Sequence, residues 1–249
     1  MITFVINLDE ATDRWNHYKG LDVHRWRATH YNEVDIETDK KMISFHNVSR
    51  KNHLCKCACM LSHFDLWKHI VKHKLNGVTI LEDDAYKTYF YSTPLPADGI
   101  TYLGGATFTP HMTGKFINVD LKDGINKINF DDYRVLMTMS YYIPTYEIAQ
   151  KLIHFVESKR RYRAIDVMLG ELQKNDKTYL YYPAVYAERP NESQIQSKSR
   201  NKFATKYYTL EPITSGDRTH MKRCNELIYS STGSSTSSTS GSGSGSGSG

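Results

Sequence analysis

Apolar and polar positions alternate along the chain with two different periods. ITFVINL (2–8) is a continuous apolar, β-rich run and predicts a buried strand. DEATDRWNHYKG (9–20) has acids early and Gly20 last, which predicts a helix. DVHRWRAT (22–29) alternates and predicts a second strand, while 31–53 is polar and weakly periodic and reads as a loop with a short helix. From Ala58 to Lys74 the pattern is clearer. Met60, Leu61, Phe64, Trp67, Ile70 and Val71 recur at helical spacing, with Asp65, Lys68, His69 and Lys72 on or near the opposite face. Trp67 reads as core. Asn76-Gly77 closes that helix, and strand 78–81 follows.

ITYLGG (100–105) predicts a short strand ending in glycines, and 106–130 is irregular with short strands. RVLMTMSYYIP (134–144) predicts a strand stopped by Pro144. TYEIAQKLIHFVES (145–158) predicts a helix with Thr145 as its N-cap, and AIDVMLGELQ (164–173) another. TYLYYPAVY (178–186) predicts a strand broken at Pro183, and the chain beyond Glu188 is polar and loop-like. Strands alternating with helices give an α/β fold with a mostly parallel central sheet flanked by helices.

Length and composition narrow this. From Ser230 onward the chain is only Ser, Thr and Gly, a flexible tail, so residues 1–229 are expected to form a single domain. The net charge of +5, from 32 Lys and Arg against 27 Asp and Glu, fits an anionic ligand and is too weak for a nucleic-acid partner. No apolar run approaches the ~20 residues of a membrane span, and no signal peptide precedes the first strand. A cytoplasmic protein is expected, and the Lys, Asn, Ile and Tyr usage points to an AT-rich source, either bacterial or viral in an infected host cytoplasm. Cys55, Cys57 and Cys59, with His53 and His63 near them, invite a zinc reading, but a second downstream pair is missing and only Cys224 remains. Reduced cysteines in a helix are the competing reading.

The candidate chemistry lies at the end of strand 78–81, where Glu82, Asp83 and Asp84 follow directly. Ligands of parallel sheets sit beyond the carboxyl ends of strands. Like charges in a row are costly unless a cation holds them, and a hard ion such as Mn²⁺ or Mg²⁺ takes oxygen ligands while leaving room for a diphosphate. A solvated acidic turn, or a helix N-terminus, explains the run equally well on these residues alone.

CMLSHFDLW (59–67) followed by ILEDDA (80–85) resembles glycosyltransferase family 25, which includes lipooligosaccharide and collagen galactosyltransferases and viral relatives. Cys59, Leu61, Ser62, His63, Trp67, Glu82, Asp83 and Asp84 carry the resemblance, together with Ile6, Asn7, Leu8 and Arg14 of FVINLDEATDRW. YLGG (102–105), MSYYIPTYEIAQKLI (139–153), AIDVML (164–169) and YYPAVYAERPNESQIQSK (181–198) fit in order, so the resemblance spans about residues 2–198. Ala58 replaces the usual Gly before the Cys, His30 and Tyr31 depart after the second strand, and Gln194 replaces an Asp.

The resemblance implies a GT-A, Rossmann-like fold and a UDP-sugar donor. It implies transfer of a hexose, galactose or glucose, to a glycan or glycoprotein hydroxyl with inversion. Asp84 is then expected as a metal ligand, with Glu82 a ligand or, like Asp83, in contact with metal-bound water or the donor. Asp166 is expected as the base, against the alternative of a helix cap. Asn7, Leu8 and Arg14 are candidates for the nucleotide, and Ser62 and His63 for the donor; a solvated helix charge is the other reading of Arg14. SKRRYR (158–163) reads as a solvated segment with capacity to pair phosphates. Two rival functions remain: an inactive sugar- or nucleotide-binding module, and a metal-dependent phosphoesterase using Glu82–Asp84 with two metals, for which only Asp166 and the pair Asp131 and Asp132 are available as further acids.

Overall fold

The fold was obtained as a computed structural model, which describes residues 1–43, 48–88, 93–110 and 115–189. Gln194, Cys224 and the Ser/Thr/Gly tail lie outside the described residues, as does part of 106–130.

In chain order the elements are β1 (Ile2–Asn7), α1 (Thr12–Asn16), β2 (His24–Arg27), a 3-10 turn (Tyr31–Glu33), α2 (Ile36–Lys41), α3 (Arg50–Lys72), β3 (Val78–Glu82) and β4 (Ala85–Lys87). They continue with β5 (Ile100–Tyr102), β6 (Ala106–Phe108), β7 (Gly124–Lys127), β8 (Arg134–Leu136), β9 (Ser140–Ile143), α4 (Tyr146–Glu157), α5 (Ile165–Leu172), β10 (Thr178–Tyr182) and β11 (Tyr186–Glu188). Seven strands form the central sheet in the order β2-β1-β3-β9-β5-β10-β7. β2, β1 and β3 run parallel, as do β5 and β10, whereas β9 and β7 are reversed. Five of the seven strands therefore point one way, giving the mostly parallel sheet expected. Two ribbons, β4 with β11 and β6 with β8, stand beside it.

Burial follows the strand alternation. Phe4, Ile6 and Ile80 pack with Leu66, Trp67 and Ile70 of α3 on one face. Their neighbours Val5 and Leu81 pack with Tyr18 and Trp15 on the other. Trp67 is fully buried, as its spacing requires.

Several boundaries differ from the sequence reading. α3 begins at Arg50, eight residues before the apolar stripe, because Ser49 Oγ caps it by accepting from Asn52 N at 3.2 Å. Its first turns bury His53 and Cys57 rather than a hydrophobic stripe. α1 is only five residues long. The run 134–144 is two strands, β8 and β9, divided where Met137 takes a positive φ of 77°. Thr145 is the N-cap of α4, although its side chain makes no capping bond. No helix among the described residues is long and apolar enough to cross a membrane.

Candidate active site

β1 and β3 lie side by side in parallel, with Ile6 opposite Glu82, so their carboxyl ends open on the same rim. The chain turns at Asp83 and Asp84 and enters β4, which pairs antiparallel with β11 so that Glu188 stands opposite Ala85. The turn is pinned from two sides. Tyr18 donates its hydroxyl to the carbonyls of Glu82 (3.2 Å) and Ala85, and Arg189 N donates to Asp84 O at 2.7 Å. A cavity of about 930 Å³ opens here. Its walls include all three acids, Glu188, Asp166 and His63.

The three consecutive acids have different surroundings. Asp83 is buried and both its oxygens are engaged: Asn7 Nδ2 donates to one at 2.8 Å and Arg14 Nη1 to the other at 2.7 Å. Burial alone would lower the Arg14 pKa, but the bond to Asp83 and the charges of Asp83, Asp84 and Asp13 raise it overall. Glu82 Oε1 accepts from Thr138 Oγ1 at 2.6 Å. Burial pushes Glu82 up, but His63 and Thr138 hold its pKa below the ordinary value. Asp84 is driven the other way, well above the usual carboxylate range, by burial and then by the charges of Glu82, Glu188 and Asp83. Arg14 opposes that shift from 3.9 Å. Burial and Glu82 push Glu188 up to about 7.

Asp84 Oδ1 and Glu188 Oε2 are both buried without a hydrogen-bond partner among the described residues. Buried polar atoms are normally paired. Both oxygens belong to acids on the wall of one cavity with Glu82. Unpaired carboxylate oxygens are the kind of donor a hard cation takes up, although among the described residues Glu82, Asp84 and Glu188 do not form a group with all ligand atoms within 4.8 Å of one another.

α3 supplies another part of the wall. His63 is fully buried, and its Nδ1 lies 2.8 Å from the Tyr141 hydroxyl, which also accepts from Trp67 Nε1 at 2.9 Å. The indole can only donate. The Tyr141 hydroxyl can donate to His63 Nδ1 or accept from it according to the ring tautomer, and the remaining ring nitrogen is Nε2. That atom faces Glu82 Oε1 at 3.3 Å, without the alignment of a hydrogen bond. Asp166, in the first turn of α5, accepts from Val167 N at 2.8 Å and faces the cavity. Burial raises its pKa, opposed first by the Val167 bond and then supported by the Glu82 charge.

The structure thus brings Leu8, Arg14, Ser62, His63, Glu82, Asp83, Asp84 and Asp166 to one cavity, and corrects several expectations about them. Asn7 is not on the wall. It is 1% exposed behind it, donating to Ala11 O and Asp83 and accepting from Arg25 Nε. Arg14 is a buried partner of Asp83 rather than a solvated helix charge. Ser62 donates to Ala58 O at 2.7 Å and accepts from Thr29 N at 2.9 Å, so it ties α3 to the chain after β2. The three cysteines do not converge, because positions two apart on a helix face different ways. Cys57 meets Asp39 and His53, whereas Cys59 meets His63 and Glu82. Of the further acids a phosphoesterase could draw on, Asp166 is on the cavity wall, whereas Asp132, bonded to Asn129, and Asp131 are not. Glu188 and Thr138 escaped the sequence reading. No local pattern marks either, since each arrives by strand pairing over a long stretch of chain.

Residues 1–92 match the model of glycosyltransferase family 25 (LPS biosynthesis protein). The match contains β1 to β4 and every acid of the turn, and it ends before Asp166 and Glu188. Among solved structures, the nucleoside-diphosphate-sugar pyrophosphorylase from Vibrio cholerae RC9 is similar at 11% identity. The alignment covers 72% of this chain and 71% of that one, with a TM-score of 0.31. No curated protein matches the chain. The opening strand, the Leu-Ser-His helix and the acidic strand end all lie inside the segment, residues 1–92, that is similar to glycosyltransferase family 25.

Proposed function

We propose that the protein is a metal-dependent glycosyltransferase that moves a hexose, galactose or glucose, from a UDP-sugar to a glycan or glycoprotein hydroxyl with inversion. The observation that carries this reading is that Asp84, at a strand end of the family-matched segment, and Glu188 carry buried, unpartnered carboxylate oxygens on the wall of one cavity with Glu82.

Asp84 and Glu188, with the Glu82 oxygen not taken by Thr138, would hold a Mn²⁺ or Mg²⁺ ion. When bound, such an ion supplies a positive charge to the diphosphate leaving group. The protein's own groups do the rest. Arg14 and Asn7 keep Asp83 in place and so fix the turn that presents Asp84. His63 and Thr138 keep Glu82 ionised near the anomeric carbon, where positive charge develops. Asp166, in the first turn of α5 on the cavity wall, takes the proton from the acceptor hydroxyl, and its raised pKa suits it to that task. A single displacement with the base facing the leaving group inverts the anomeric centre. Leu8 supplies an apolar surface to the nucleotide at the end of β1.

The test is calorimetric titration of UDP with and without Mn²⁺, on the wild type, Asp84→Ala and Glu188→Gln. Metal-dependent binding that is lost in Asp84→Ala and weakened in Glu188→Gln is expected. Metal-independent binding, or equal binding in all three proteins, overturns the assignment of the acids. Binding without turnover of any UDP-sugar identifies an inactive binding module instead.

A further inference from the structure

The cavity holds a second set of potential ligands, of a different chemical kind from the unpaired carboxylate oxygens. Cys59 Sγ, His63 Nε2 and a Glu82 carboxylate oxygen all lie within 4.8 Å of one another. Cys59 and His63 are four apart on α3, hence on one face of the helix, and Glu82 approaches from the end of β3. All three side chains border the cavity, so an ion has a route to them.

A second, independent observation points the same way. His63 is 0% exposed, yet its Nε2 is aimed at the cluster with no hydrogen-bond partner among the described residues. Its other nitrogen is fixed by Tyr141, which Trp67 fixes in turn. Outer partners of this kind are what orient a ligating imidazole toward a metal. The second Cys/His/Asp cluster, Asp39 with His53 and Cys57, lacks this feature. There His53 Nε2 is bonded to Asp39 at 2.9 Å, and Arg50 takes both Asp39 oxygens at 2.6 Å.

We propose that Cys59, His63 and Glu82 form a three-ligand site for a soft divalent ion of the zinc class, leaving a fourth position open to the cavity. Sulfur and imidazole select such an ion over Mn²⁺ or Mg²⁺. Tetrahedral bonds of the usual lengths place ligand atoms roughly 3.3–3.7 Å apart, so from separations within 4.8 Å a contraction of at most about 1.5 Å closes the set. A thiolate and a carboxylate balance the two charges of the ion within an acidic, largely buried cavity. Cys59 sheds its proton to solvent on binding. The neutral His63 ring then carries its proton on Nδ1, which donates to the Tyr141 oxygen. Glu82 belongs to both sites, so an ion here occupies the cavity the donor needs and acts as a blocking ligand.

Cobalt titration of the full chain, with Co²⁺ alone and without nucleotide, tests this directly. The wild type is expected to bind one equivalent with a near-ultraviolet thiolate charge-transfer band and visible bands of four-coordinate cobalt, both bleached by Zn²⁺. Cys59→Ser should lose the thiolate band and weaken binding at least about tenfold, and Cys59→Ala should do the same. Cys55→Ser and Cys57→Ser should keep the band. Circular dichroism and the thermal midpoint of each variant separate ligand loss from misfolding. A wild type without the band, a band that survives in folded Cys59→Ser, or a band lost in Cys57→Ser overturns the proposal. Because no nucleotide is present, failure of the UDP reading leaves this result untouched.

Discussion

Arg14 Nη1 lies 2.7 Å from Asp83 Oδ1, and the two side chains are only 10% and 11% exposed. The middle acid of the triad is therefore a structural charge, held by α1, while its neighbours face the cavity. Removing one member of a buried ion pair leaves the other charge uncompensated and costs about 3–5 kcal/mol. Arg14→Met is expected to lose stability on that scale in urea unfolding. Arg14→Met with Asp83→Asn should recover part of it, since the amide carries no charge and its oxygen still accepts from Asn7.

Glu188 makes stability depend on pH in an unusual direction. Its pKa rises from an ordinary 4.5 to about 7 in the fold. Between those values the folded protein keeps a proton that the unfolded chain has lost, so stability falls as pH rises. Without divalent ions the loss is on the order of 3 kcal/mol, and Asp84, raised in the same sense, adds to it. Glu188→Gln should flatten this slope and raise the melting temperature at pH 8. Mn²⁺ should stabilise the wild type at that pH and the variant less.

Much of this arrangement is legible in the sequence, and the rest is hidden for physical reasons. The acids at 82–84 mark their own place because a strand ending in charge must meet solvent, a cation or a counter-ion. Trp67 shows its burial through helical spacing. The first turns of α3 do not, because they bury His53 and Cys57 and expose Arg50 and Lys51, which leaves no apolar stripe to read. Asn7 and Arg14 read as ligand contacts since nothing local reveals that both point at Asp83. Glu188 depends on pairing with a segment about a hundred residues earlier, for which no periodicity exists.

Tyr141 bridges the imidazole of His63 and the indole of Trp67 through one oxygen. Tyr141→Phe strips both buried groups of that partner, each at about 1–3 kcal/mol. A fall of several degrees in the melting temperature is expected, with no change in the far-ultraviolet spectrum.

Gly104 follows β5, where a Cβ would stand 2.2 Å from the Tyr186 carbonyl oxygen and 2.9 Å from Met139 Cε and Ser140 Oγ. Gly104→Ala must push β11 away and take Glu188 with it. A loss of about 1–3 kcal/mol or more is expected. Mn²⁺-dependent UDP binding should weaken even at temperatures where the variant stays folded, which calorimetry would read.

β9 lies between β3 and β5, bonded to both, so strands from the first third of the chain are joined to those of the last through a segment from its middle. The sheet has no seam along which the family-matched segment separates from the remainder. Heredity must treat it accordingly: a change accepted at Ser140 or Tyr141 alters what is acceptable at Leu81 or His63.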